Sequence, residues 1–211
     1  MTIPQSSPVS ETQHEAGGYA KGVALATVTQ NKDDQNLCRV KVRYSWSDTE
    51  SYWARLAVPM AGKGRGWVTI PEVGDEVLVV FEREDIRYPY IVGSLWNGKQ
   101  TPPINNSNGK NDVRILKSRK QHHLMFDDGS KGVVELKHEK GRKIRFDDDG
   151  FIVEDEKGNV VQVDSTSGNM SIKAEGHLQI KAKTISIEAD ATMEIKAGAT
   201  LNIKGQLINI N

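Results

Sequence analysis

The chain has 211 residues, enough for one or two domains, and its 28 basic and 28 acidic residues cancel to a formal net charge of zero. That balance argues against a general role on nucleic acid or on an anionic membrane, both of which reward a positive surplus. An apolar fraction of 37% is low for a compact monomer and suits a long, intertwined assembly whose core is a narrow seam.

Residues 1–18 are polar and carry Pro4, Pro8, Gly17 and Gly18. They are expected to form a flexible arm, disordered alone or ordered as a strap on a partner. The opening MTIPQSSPVSETQHE has neither a basic start nor an apolar run, so it does not read as a signal peptide, and synthesis in the cytosol is expected. No stretch approaches the ~20 apolar residues of a membrane helix.

Residues 19–96 read as five short strands. YAKGVALATVTQ leads to a turn over 31–36, then LCRVKVRYSW alternates at Leu37, Val40, Val42 and Tyr44, and WARLAVPM, EVLVVFE and YIVGSLW follow. Five strands with turn signals between them in under 80 residues predict a small antiparallel barrel of the OB type. Cys38 is expected as a small buried strand residue; with one cysteine no disulfide can form within the chain. Gly74-Asp75 marks a tight turn before the apolar run Val77 to Phe81, and Pro89 is expected to open a strand, where its missing N–H does least harm. AGKGRG, residues 61–66, lacks the Gly-Lys-Ser/Thr ending of a phosphate loop and runs into the strand-like WVTI, so a surface loop contacting a partner is expected.

The strings RVKVRYSWSD, SYWARLAVPMAGKGRGWVTIPEVGDEVLVVFE and REDIRYPYIVGSLWNG, in that order and spacing, resemble the OB-fold domain of contractile-injection central spike proteins. These are the phage baseplate assembly protein V family and the gp5-like part of type VI secretion VgrG proteins. One departure is EDIRYPY in place of a DPDRPY-like turn. Asp85, Arg87 and Pro89 remain, and the turn is expected to survive. The resemblance implies an all-β chain in which an N-terminal OB-fold barrel precedes a C-terminal intertwined triple-stranded β-helix, as a homotrimer. It further implies a tube-hub protein on the N-terminal side, gripped by the barrel and by residues 1–18, and a PAAR-like tip protein at the C-terminal end. The implied place is the baseplate of a phage tail or tail-like particle, after synthesis in the bacterial cytoplasm, and the implied role is mechanical piercing of a target envelope.

Residues 97–118, which begin NGKQTPPINNSNGKND, read as a linker. Tail lysozymes of the same family carry an enzymatic domain here, for which there is no room, so no enzyme, no catalytic residue and no cofactor is expected. Residues 119–159 carry the apolar pairs Leu124/Phe126, Val134/Leu136, Ile144/Phe146 and Phe151/Val153, with turns at DDGS, EKGR and DDDG, and are expected to start a rod of irregular spacing. Asp147, Asp148 and Asp149 are read as a solvated hairpin turn, because a calcium loop needs spaced ligands. His122 and His123, adjacent in a strand, would face opposite sides. No metal site is expected.

Residues 160–211 repeat an apolar-x-apolar unit at spacings of 9, 8, 7, 8, 8 and 7: VVQVD, MSIKA, LQIKA, ISIEA, MEIKA, LNIKG and ININ. Each unit turns its two apolar residues to one face and is too small to bury them alone, so neighbouring units or other chains must cover them. The expected trimer core is Val161, Val163, Met170, Ile172, Leu178, Ile180, Ile185, Ile187, Met193, Ile195, Leu201 and Ile203, with Ala174, Ala182, Ala189, Ala197 and Gly205 at the corners. Leu207, Ile208, Ile210 and Asn211 are expected to form a blunt face for the tip protein. A different reading makes the barrel a binding module for oligosaccharide or single-stranded nucleic acid, with Trp46, Tyr52, Trp53 and Trp67 as stacking platforms on a trimeric stalk.

Overall fold

The computed structural model describes residues 20–210; the N-terminal arm expected over 1–18 and the tip residue Asn211 lie outside the described residues. The chain divides into two units at Gly109/Lys110. Neither contains an α-helix among the described residues.

In the first unit β1 (Ala24–Gln30) alternates buried and exposed residues, because a strand over a core turns every second side chain inward. Ala24, Ala26 and Val28 point in, joined by Val40 and Val42 beside and on β2 (Lys41–Tyr44). A short β3 (Arg55–Leu56) and the hairpin β4 (Ala61–Gly62) and β5 (Arg65–Gly66) follow. Then come β6 (Glu76–Phe81), which buries Val77 and Val79, and β7 (Pro89–Leu95), which buries Pro89 and Ile91. The sheet order is β2-β1-β6-β7-β3, with β3 parallel to β7 and the other pairs antiparallel. Antiparallel bridges Val40–Ala54 and Arg43–Glu50 join the two ends, so the sheet closes on itself as a small barrel. Alanines at 24, 26 and 54 keep its interior narrow. The five strands expected from the alternation are the five that close the barrel.

Two expectations fail at one place. Leu37 is exposed, and Cys38 is exposed with φ 56, outside any strand. The cause is Asp33. Its buried carboxylate accepts the backbone N–H groups of Gln35 and Leu37 at 3.0 Å each, and Arg39 Nη2 at 2.8 Å. That network holds 33–39 as a tight loop and delays the strand to Lys41. The Arg39 hydrogen bond holds the Asp33 carboxyl far below the usual carboxylate range. A folded pKa below the unfolded value of ~3.9 means that the stabilisation is complete above that value and fades as pH falls toward the folded one. Urea unfolding of Asp33→Asn should therefore show a shallower loss of stability below about pH 4 than the parent chain. Equal slopes would contradict this assignment.

The turn at EDIRYPY survives the lost proline. Asp85 accepts from Arg87 Nη2 at 2.6 Å and from the Arg87 backbone N–H at 3.0 Å, while its own carbonyl accepts from the Tyr88 N–H. The side-chain clamp replaces the conformational restriction that a proline ring would impose. Gly74, at φ +97, makes the tight turn before β6, as its position implies.

The second unit opens on β8 (Val113–Lys117), which begins inside the segment read as linker. Six strands follow: β9 (His123–Asp127), β10 (Val133–Lys137), β11 (Lys143–Asp147), β12 (Gly150–Glu154), β13 (Val160–Asp164) and β14 (Asn169–Lys173). They form one seven-stranded antiparallel meander in sequence order. Its turns at 118–122, 138–142 and 155–159 share one form, closed by a paired first and last residue and a left-handed fourth residue: Gln121 (φ 70), Gly141 (φ 91) and Gly158 (φ 91). Such hairpins demand positive φ, which glycine adopts freely. Gln121 is strained where its two counterparts are not, so Gln121→Gly should raise stability by about 1 kcal/mol in chemical denaturation.

After Ala174 no strand pairs within the chain among the described residues. Segments without regular secondary structure alternate with bends at 175–176, 183, 190–191, 198–199 and 206, a spacing of seven to eight residues that matches the sequence repeat.

Candidate functional site

The antiparallel register decides which side chains share a face, since directly opposed residues point the same way. Leu124 and Phe126 on β9 oppose Leu136 and Val134 on β10. These oppose Ile144 and Phe146 on β11, which in turn oppose Val153 and Phe151 on β12. Val161 and Val163 on β13 and Ile172 and Met170 on β14 continue the row, and Leu116 on β8 opens it. One face of the sheet is thus an apolar ladder, two residues per strand from β9 to β14, with Leu116 and Arg114 on β8. The opposite, more polar face mixes Ile115, Met125, Val133 and Ile152 with charged side chains, among them His123, whose Nε2 lies 2.9 Å from Glu135, and Lys143, 2.9 Å from Glu154. In an amphipathic sheet the apolar face is the buried one. Here it is bare: Leu136 is 55% exposed, Phe146 51% and Met170 63%.

Four of the expected core residues, Val161, Val163, Met170 and Ile172, therefore lie in a self-paired sheet, whereas the rod was expected to pair between chains from 160 onward. The reason is turn chemistry. Gly158 and Gly168 supply the positive φ that folds β12–β13 and β13–β14 into hairpins, and Gly168 is the last positive-φ residue among those described. Beyond it the corners of the repeat bend the chain without reversing it. Leu178, Ile180, Ile185, Ile187, Met193, Ile195, Leu201 and Ile203 sit on these segments and are all exposed, Ile187 by 74%. Leu207, Ile208 and Ile210 are exposed as well. Backbone with no hydrogen-bonded partner among the described residues, flanked by exposed apolar side chains, is open to strand pairing from outside. Leu116 is the ladder member that sequence reasoning missed, because it fell in the segment read as linker; its signal was the apolar triplet of VRILK.

In the first unit a cleft of about 910 Å³ lies between the barrel and the residues 60–70 that carry the β4–β5 hairpin. Met60, Tyr52, Trp67 and Val68 line it and are half or more exposed. The rings named for a base- or sugar-stacking platform are not all open to a ligand. Trp46 stacks on Tyr44 at 4.9 Å, and Arg39 and Lys41 lie over Trp53 at 5.5 and 5.3 Å. The chain's own side chains already occupy those π-faces. AGKGRG is an exposed hairpin, as a surface loop should be.

The candidate metal ligands do not converge: no group of three or more His, Cys, Asp or Glu able to hold a metal occurs among the described residues. The aspartates at 147–149 make the two-residue β11–β12 hairpin. His122 and His123 do face apart, as their adjacency implied, but His122 packs on His138 of the next turn along the same edge, with ring centroids 4.4 Å apart. Among the described residues no helix is long and apolar enough to cross a membrane.

Residues 24–96 match the family model described as the type VI secretion system/phage-baseplate injector OB domain. Among curated proteins, the chain is 26% identical over 185 residues to the actin cross-linking toxin VgrG1 of Vibrio cholerae serotype O1, an alignment that covers 79% of this chain and 17% of the toxin. It is 38% identical over 71 residues to the type VI secretion system spike protein VgrG1c of Pseudomonas aeruginosa, covering 31% of this chain and 10% of that protein. With the spike protein VgrG3 of Vibrio cholerae the identity is 34% over 92 residues, or 39% of this chain and 9% of the relative. The chain spans less than a fifth of the length of each of these relatives. On these matches residues 24–96 carry the type VI secretion system/phage-baseplate injector OB domain, and the chain is similar over part of its length to VgrG spike proteins.

Proposed function

We propose that this chain is the central spike of a contractile injection system: a homotrimer, made in the bacterial cytoplasm, whose barrel docks under a tube hub and whose C-terminal unit forms the rod that pierces the target envelope. The observation that carries the reading is the apolar ladder left bare on the β8–β14 sheet and continued by segments that pair with no strand among the described residues. Three copies would turn their ladders to a common axis and pair the segments after Ala174 between chains. A rod so built needs no catalytic residue. It needs resistance to unfolding under load, and interchain ladders spread that load over many backbone hydrogen bonds.

Leu207, Ile208 and Ile210 are proposed as the seat of a PAAR-like tip protein. The exposure of all three apolar side chains supports this. Deleting residues 206–211 should leave a trimer that resists SDS but no longer retains the tip protein. Retention by the truncated trimer would refute the seat.

The reading as a whole is tested by amide hydrogen exchange on the full chain. Interchain pairing should protect residues 178–210 at least as well as β9–β13. Exchange of that stretch at the rate of unstructured chain would overturn it.

A further inference from the structure

The seven-stranded sheet has two turn edges of opposite charge. One edge carries the turn segments 117–123, 137–143 and 154–160, which together hold eight lysines and arginines against four carboxylates. The other carries 127–133, 147–150 and 164–169, which hold six aspartates against one lysine, Lys131. The separation follows from the register. On the polar face Lys117, Lys137, Lys143 and Lys173 end their strands at the first edge, while Asp127, Asp147 and Asp164 end theirs at the second.

Pairing inside each edge reduces the imbalance without removing it. On the basic edge Arg142 takes Glu156 at 2.7 Å and Lys143 takes Glu154 at 2.9 Å. On the acidic edge Lys131 takes Asp149 at 2.6 Å. Two arginines reach that edge from within their strands, Arg114 to Asp128 at 2.6 Å and Arg145 to Asp147 at 3.0 Å. A basic surplus and an acidic surplus remain at opposite ends of the strands.

We infer that the sheets of neighbouring copies meet basic turn edge to acidic turn edge, so that charge sets the direction in which the bare ladders close. The inference rests on the homotrimer proposed above and adds how the copies find one another. Rotation about an axis along the stacking direction of the strands brings the left edge of one sheet beside the right edge of the next, a heterologous contact. With this charge pattern, that contact joins unlike edges. Turning one copy end for end would instead set like edges together, a repulsion that selects against the antiparallel arrangement. The apolar ladder alone cannot make that distinction, because it is nearly symmetric along the stack. The occupant of the bare face is thus a second copy in parallel orientation.

The test follows trimer formation of the full chain after dilution from denaturant, read as SDS-resistant trimer against time. Wild type should assemble at least about tenfold more slowly in about 500 mM than in about 20 mM NaCl, because salt screens steering between charged surfaces. An acidic-edge variant, Asp148→Lys with Asp149→Lys, and a basic-edge variant, Lys120→Glu with Lys140→Glu, should each be slowed to a similar extent at low salt. The chain that carries all four substitutions holds six basic and six acidic residues on the first edge and four aspartates against three lysines on the second. It should therefore assemble slowly and with no salt dependence, whereas a folding defect alone would leave the salt dependence of wild type in place. If wild type forms no trimer, the trimer reading itself fails. If wild type assembles with no salt dependence, or the four-substitution chain keeps that dependence, the edge inference fails and the trimer stands.

Discussion

Replacing Ile144 or Phe146 with aspartate is expected to abolish the trimer at micromolar concentration while leaving the barrel folded. Both residues sit mid-ladder on β11, flanked by Leu136 and Val134 on one side and by Val153 and Phe151 on the other. Phe146 also packs on Phe151, with ring centroids 6.0 Å apart. In a lone chain either substitution is nearly harmless, since a charge on a bare face stays in water. In a closed prism the same charge meets two copies of itself at the axis. Removing a buried aromatic or aliphatic side chain costs about 3–5 kcal/mol per copy, and an uncompensated charge in an apolar seam adds several more. The expected readout is light-scattering mass at the monomer value with an unchanged barrel thermal transition. A variant that stays trimeric would show that the ladder is not the trimer core.

Gly150→Ala should be the most damaging single-methyl change in the C-terminal unit. Gly150 has φ +143, and a Cβ there would lie 2.0 Å from the Val163 carbonyl oxygen across the β12–β13 pair. The clash is with backbone and cannot be relieved by a rotamer. The strand must shift, and a shift of one residue would turn Phe151 and Val153 to the polar face. A loss above about 4 kcal/mol is expected, the range reserved for such specific failures. Gly141→Ala is the control: φ is +91 but nothing lies within 4 Å of the added methyl, so only backbone strain of about 1 kcal/mol is expected. Chemical denaturation of the two variants side by side separates steric collision from conformational preference. Equal, small losses would mean that the β12–β13 register is more yielding than its geometry implies.

The barrel was legible because its strands alternate strictly. Val40, Val42, Val77 and Val79 are buried where the period places them, and the turns at Gly74 and Asp85 are local chemistry. Cys38 continues the same alternation and still lies outside the strand, because the Asp33 carboxylate captures the backbone at Leu37. Nothing in the period reveals that capture. In the C-terminal unit the apolar pairs were visible as pairs, but their partition was not. VVQVD and MSIKA look like the units that come after them, and only the left-handed glycines at 158 and 168 mark them as hairpins. The difference between a chain that pairs with itself and one that waits for copies thus lies in the turns. The contact of His122 with His138 was beyond reach, since it depends on two turns of the meander falling on one edge.

The spike reading requires three copies to cover what one leaves bare. Light scattering on the full chain at micromolar concentration measures that directly. A single species at three times the 23.4 kDa mass of the chain is predicted, unchanged on tenfold dilution. A monomer of 23.4 kDa that keeps its strand content would contradict it.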